Sequence, residues 1–237
     1  MIAKNVMTLD EEGFKRYLKK TGKSDRRIEF DICNMRKFEE YLQKHKAKKL
    51  EQAAPEDLKN FASWAEETGT KIWLWVFNRY YSYKQNDAMF CKTNELIGIQ
   101  SLKKSKLKDF LGVNPQHVQA LKAEGVITAE QMLDAGKTRE GREKLARKTG
   151  VPLDSVLELV KLSNLARIIG LKKKRARLFY DAGLDTLDKI AEWDSEEMRQ
   201  MLIKFVDRTG FDGTASTPTE AAFTVRLAKY LPRIVEH

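Results

Sequence analysis

The residues best equipped for chemistry are a run of cations beside a glycine, Gly170-Leu171-Lys172-Lys173-Lys174-Arg175, with Arg177 two positions on. Ammonium and guanidinium groups pair with phosphate oxygens, and a glycine just ahead of a helix start leaves backbone amides open to an anion. Cations at a helix N-terminus oppose the helix dipole, a cost that an arriving anion relieves. Fifty-eight residues earlier, Gly112-Val113-Asn114-Pro115-Gln116 has the form of the same turn with little charge, and Pro115 removes one N–H from it. Lys103, Lys104, Lys106 and Lys108 lie just upstream. The candidate phosphate-binding set is therefore Gly170, Leu171, Lys172, Lys173, Lys174, Arg175 and Arg177, with Gly112, Asn114, Gln116, Lys103 and Lys104.

Other chemistry is poorly supplied. His45, His117 and His237 stand alone, and neither they nor Cys33 and Cys91 show metal-ligand spacing. No phosphate-loop lysine motif, dinucleotide glycine fingerprint or nucleophile elbow occurs. Asp181, Asp185 and Asp188 read as helix ends and caps. The expectation is a protein without enzymatic activity, metal or cofactor.

Stepping outward, 237 residues suffice for one large domain or two small ones. Lys and Arg number 44 against 34 Asp and Glu, a net charge of +10 that favours a polyanionic partner. Two cysteines are too few for a disulfide framework and suit a reducing compartment. The opening MIAKNVMTLDEEGF lacks a signal-peptide core, and the longest apolar run, Ile72 to Phe77, falls far short of a membrane span. These features predict a soluble, cytoplasmic chain that does not meet a membrane.

The elements that must hold the cations read as helices throughout. Phe14, Tyr17 and Leu18 mark a first helix, and Ser24 caps a long second one whose apolar positions run Ile28, Ile32, Met35, Phe38, Tyr41 and Leu42. Pro55 opens a third, closed by Gly69, and a fourth from about Thr70 carries Trp73, Phe77, Tyr80 and Tyr81. Most of that aromatic run steps at core spacing. Trp75 and Tyr83 fall off the stripe and are expected at the surface, where an apolar face would meet a partner protein in preference to a base stacked beside Lys71, Arg79 and Lys84. No clean period-two alternation occurs. The predicted class is all-α, a four-helix N-terminal bundle over residues 1–98 and a second helical domain over 99–237, with a linker near Ile97–Lys106.

The second domain repeats itself. LKDFLGVNPQHVQALKAEGVITAEQML (107–133) aligns without a gap on LARIIGLKKKRARLFYDAGLDTLDKIA (165–191) at a shift of 58, which pairs Gly112 with Gly170, Gly125 with Gly183 and Thr128 with Thr186. Further on, Lys148-Thr149-Gly150-Val151 echoes Arg208-Thr209-Gly210-Phe211 at a shift of 60. The units span about 102–162 and 163–231. Each reads as helix, glycine turn, helix, glycine stop and a threonine-capped helix.

That order resembles the helix-hairpin-helix module, on Ile-Ile-Gly-Leu-Lys-Lys-Lys-Arg-Ala at 168–176 and Ala-Gly-Leu-Asp-Thr-Leu at 182–187. The tandem over 102–237, with Val-Pro-Leu-Asp-Ser-Val at 151–156 between the units, is similar to the uncharacterised domain of unknown function 4332, itself a relative of helix-hairpin-helix proteins. The resemblance implies a hairpin that holds a nucleic-acid backbone. The usual turn has a second glycine two after the first, where this chain has Asn114 and Lys172. Residues 8–92 more loosely resemble the helical DNA-clamping, SAM-like domain of phage-type integrases, on Phe14-x-x-Tyr17-Leu18, Ser24, Phe38, Tyr41-Leu42, Glu56-Asp57-Leu58 and Arg79-Tyr80-Tyr81. The Arg, His-x-x-Arg and Tyr series of an integrase catalytic domain is missing.

Two functions follow. The favoured one is double-stranded DNA binding with little sequence preference, mainly through Gly170–Arg177, at roughly 10⁻⁴ to 10⁻⁶ M in physiological salt. RNA offers the same phosphate chemistry. The alternative is a helical scaffold for another protein, with the charge serving solubility.

Overall fold

A computed structural model describes residues 9–236, so the reading of the N-terminal segment as lacking a leader rests partly on Met1–Thr8, outside the described residues, as does His237. The fold is all-α: thirteen α-helices and two short 3-10 turns, with no strand among the described residues. The chain divides into two compact units, Met1–Leu96 and Ile97–His237.

In the first unit, α1 (Glu11–Lys20) starts at Asp10, whose carboxylate accepts the Gly13 amide, and α2 (Asp25–Lys46) starts at Ser24, which accepts that of Arg27. Pro55 is the first residue of α3 (Pro55–Glu67). Phe14, Leu18, Ile32, Phe38, Leu42, Leu58, Phe61 and Phe77 are fully buried, and Phe38 packs against Phe61 and Phe77 with ring centroids at 5.0 and 5.6 Å. Two expectations change. The fourth helix is shorter, α4 (Leu74–Tyr83), because the backbone turns over at Gln85 with a φ of +52° and Asn86 caps a further helix, α5 (Asp87–Leu102), by accepting the Met89 amide. Residues 97–102, expected as linker, are therefore helical. Gly98 serves close packing, since a Cβ there would lie 2.5 Å from the Arg167 carbonyl oxygen.

Trp75 is exposed as expected, but Trp73, expected in the core stripe, is exposed too, and Tyr83, expected at the surface, donates to Asp10 at 2.5 Å and packs on Phe14 and Tyr17. Arg79 is no partner for a stacked base: it donates from Nε and Nη2 to the buried Asp31 at 2.7 and 2.8 Å.

In the second unit the two stretches related by the 58-residue shift share their left-handed glycines and threonine caps, and part where Lys173, at φ +49°, stands in place of Pro115. Gly112 and Gly170 take φ of +73° and +98°, Gly125 and Gly183 +81° and +85°. After each stop a buried residue bonds back, Val126 to Leu121 and Leu184 to Phe179. Thr128 caps α7 (Ala129–Gly136) and Thr186 caps α11 (Leu187–Ala191). Then α8 (Arg139–Thr149) and α12 (Ser195–Thr209) both end on a left-handed glycine, Gly150 and Gly210. In the first stretch α7, α8 and α9 (Leu153–Leu165) pack mutually, and in the second α11 and α12 pack on α13 (Pro218–Tyr230).

Candidate nucleic-acid interface

The turn after α9 is held by buried apolar groups. Ile168 and Leu171 are buried, and the Leu171 amide donates to the Ile168 carbonyl at 3.0 Å. That leaves Gly170 at the surface with open space where a Cβ would stand. The chain then bends through Lys173, at φ +49° and ψ −108°, into α10 (Lys174–Asp181), which has no side-chain cap. A lysine in that region is backbone strain of about 1–3 kcal/mol that the surroundings must hold. The strained position is one beyond Lys172, where a second glycine would stand.

The first hairpin differs at the same points. Asn114 is extended, at φ −69°, and its side chain accepts the Gln116 amide at 2.8 Å to cap α6 (Pro115–Ala123). With Pro115 lacking an N–H and Asn114 occupying another, this helix start offers an anion little. Gly112 is exposed, but the Arg177 side chain crowds it: a Cβ there would be 3.3 Å from Nε of Arg177.

The structure reassigns three of the candidate cations. Arg177 is buried: Nε donates to the Leu111 carbonyl at 2.7 Å, Nη2 to Glu158 and Nη1 to Asp181. Its charge joins the two hairpins and is closed to a ligand. Arg175 makes a bidentate pair with Glu220 at 2.9 and 3.0 Å, and Lys174 pairs with Asp212 at 2.5 Å. Glu220 also accepts the Thr217 amide in the cap of α13. Together the Arg175 hydrogen bonds, then that amide, pull its pKa from 4.5 down to about 2. Leu171 is core and offers no side chain to a ligand.

Lys172 and Lys173 instead face a cleft of about 220 Å³ shared with Ser101, Lys104, Ser105, Lys106, Asp109 and Phe110. Lys104, Lys106 and Lys172 have no ion-pair partner among the described residues, and Lys173 is 3.9 Å from Asp109. The Lys104–Lys106 wall is fixed from behind: the Leu107 amide donates to the Ile127 carbonyl at 2.9 Å, and the Ala129 amide to that of Ser105 at 2.8 Å. Four ammonium groups against one carboxylate repel one another, so an anion entering the cleft is favoured. Lys103 is exposed but does not line this cleft, nor does Gln116 or Gly112. Lys106, Ser101, Ser105 and Asp109 were outside the sequence-derived set. Lysine density at 103–108 was visible, but nothing local says that the segment folds against Lys172.

Among the described residues no group of three or more His, Cys, Asp or Glu could hold a metal ion, and no helix is long and apolar enough to cross a membrane. A family model described as a domain of unknown function (DUF4332) matches residues 111–229, half of the chain. No curated protein and no solved structure matches.

Proposed function

This chain belongs to the DUF4332 family, and from that premise we propose that it binds double-stranded nucleic acid, DNA first, through backbone phosphates at the lysine cleft of its second hairpin. The observation that carries the reading is the convergence of Lys104, Lys106 and Lys172, none ion-paired, beside the uncapped start of α10. A phosphate there meets ammonium groups from two segments, and serine hydroxyls lie within the same cleft. The likeness of the glycine turns to helix-hairpin-helix modules supports the same ligand class, as does that of residues 8–92 to an integrase clamping domain. Nothing in the cleft is shaped to read base edges, so affinity would follow phosphate neutralisation and fall with salt. The first hairpin, capped and occupied by Arg177, acts as the support of the second.

The test compares three proteins on a labelled duplex of about 25 base pairs at two salt concentrations. These are the wild type, a Lys104→Ala/Lys106→Ala/Lys172→Ala variant, and a Lys122→Ala/Lys137→Ala/Lys229→Ala variant that loses the same charge from exposed sites elsewhere. Salt-sensitive binding that the first variant loses and the second keeps is the expected result. Equal loss in both would reduce the cleft to general charge. Absence of binding at low salt would sink the nucleic-acid reading and leave a protein scaffold.

A further inference from the structure

In both repeats the glycine stop and the following long helix come from equivalent sequence positions, but among the described residues an ion pair joins them in the first repeat alone. There Lys148, in the last turn of α8, pairs with Glu124, the residue before Gly125, at 2.6 Å, and Leu145 is buried. The equivalents in the second repeat are Arg208, Ala182 and Phe205. Ala182 has no carboxylate to offer. Arg208 has no ion-pair partner among the described residues and lies over the Phe205 ring at 5.8 Å, which itself is only half-buried. The result is an open groove of about 770 Å³ with Trp193, Met201 and Phe205 among its lining residues.

The unpaired charges that α12 brings to that groove are ordered, the other two acids that line it, Asp181 and Glu196, being paired with Arg177 and Arg199. Glu197, Met201, Lys204 and Arg208 all line it, and they step along α12 by four, three and four, which keeps them on one helix face. Glu197 has no ion-pair partner among the described residues either. The face therefore reads acid, apolar, base from N- to C-terminus. Such an order is its own complement when a second α12 is laid antiparallel to it, with the centre between Leu202 and Ile203. Glu197 then lies opposite Arg208 of the second copy, Arg208 opposite Glu197 of the second copy, and Met201 opposite the lysine stem at 204. Antiparallel helix dipoles agree with this arrangement. A two-fold interface has to be self-complementary in this way.

We infer that this face of α12 is a self-association surface through which two copies of the chain pair. A single helix face buries less than the roughly 800 Å² per partner of a standard stable interface, so the association is reversible and concentration-dependent. It does not depend on the nucleic-acid reading.

The test is sedimentation equilibrium of the full chain over a concentration series, with no nucleic acid present. The wild type is expected to rise from the mass of one chain toward that of two. Arg208→Glu places two acids opposite each other, and Glu197→Arg two bases, so each variant alone should associate about tenfold more weakly or worse. Mixed in equal amounts, the two should regain association, because every facing pair is again opposite in sign. Ala182→Glu should weaken association in the wild-type background by giving Arg208 the internal partner that Lys148 has. Glu197 and Arg208 are exposed, and circular dichroism checks that the variants fold. A wild type that stays at one chain's mass overturns the inference. So does a dimer that Arg208→Glu leaves intact, or a mixture of the two variants that fails to recover.

Discussion

Nε of Arg177 donates to the carbonyl of Leu111 across 2.7 Å, a bond between residues 66 apart that ties the helix of one hairpin to the turn of the other. The same guanidinium is held by Glu158 and Asp181 and lies over the Tyr180 ring at 5.3 Å. Its position beside the lysines in sequence made it a candidate ligand for phosphate. Its surroundings make it a strut.

Arg177→Ala is expected to destabilise the second unit by about 3 kcal/mol, because removing one partner of a buried pair leaves Glu158 and the Leu111 carbonyl without their donor. Urea denaturation followed by helical circular dichroism reads this directly. A loss under about 1 kcal/mol would mean that water replaces the guanidinium freely and that the strut is not structural.

Gly112→Ala should cost more than Gly170→Ala. Both glycines have positive φ, which an alanine adopts at about 1 kcal/mol. Only Gly112 also has a neighbour, Nε of Arg177 at 3.3 Å from the added carbon, while nothing lies within 4 Å at Gly170. Equal midpoints for the two variants in the same denaturation experiment would contradict this ordering.

How much of this was legible in the sequence divides by distance along the chain. Ser24, Thr128 and Thr186 could be read as caps because each accepts the amide of a residue three positions on. The paired glycines could be read as turns because conformational freedom is a property of the residue itself. The fates of Lys174, Arg175 and Arg177 could not be read, since Asp212, Glu220 and Glu158 lie 38, 45 and 19 residues away. Lys104 and Lys106 meeting Lys172 is likewise a product of packing. The turnover at Gln85 and the cap at Asn86 are local, yet the aromatic run that ends at Tyr83 masks them.

If the cleft holds phosphates, each lysine that contacts one should contribute about 0.9 to the slope of log affinity against log salt. Lys104→Ala, Lys106→Ala and Lys172→Ala should each lower that slope measurably. Lys174→Ala, whose ammonium is already spoken for by Asp212, should change it less. A titration of duplex binding by fluorescence anisotropy at four or so salt concentrations suffices.

Acid should weaken the second unit through Glu220. Its folded pKa of about 2 lies below the ordinary value of 4.5, chiefly because Arg175 hydrogen-bonds the carboxylate. A depressed acid adds stability that is fully present above its unfolded pKa and is lost as pH falls through the folded one. Stability should therefore decline between about pH 4.5 and 2, and Glu220→Gln should flatten that decline while lowering stability at neutral pH. Thermal melts across the window check the sign, and an unchanged pH profile in the variant would place the acid sensitivity elsewhere.

The backbone bonds from Leu107 to Ile127 and from Ala129 to Ser105 have a thermodynamic consequence for whatever enters the cleft. The wall bearing Lys104 and Lys106 hangs from the cap of α7, so its main chain has already surrendered its freedom on folding. A ligand then orders side-chain rotors alone, each a modest entropic loss. Encounter on such a wall resembles contact with a fixed electrode more than the folding of a basic tail. Its calorimetric mark would be a small heat-capacity change, because little apolar surface is left to bury.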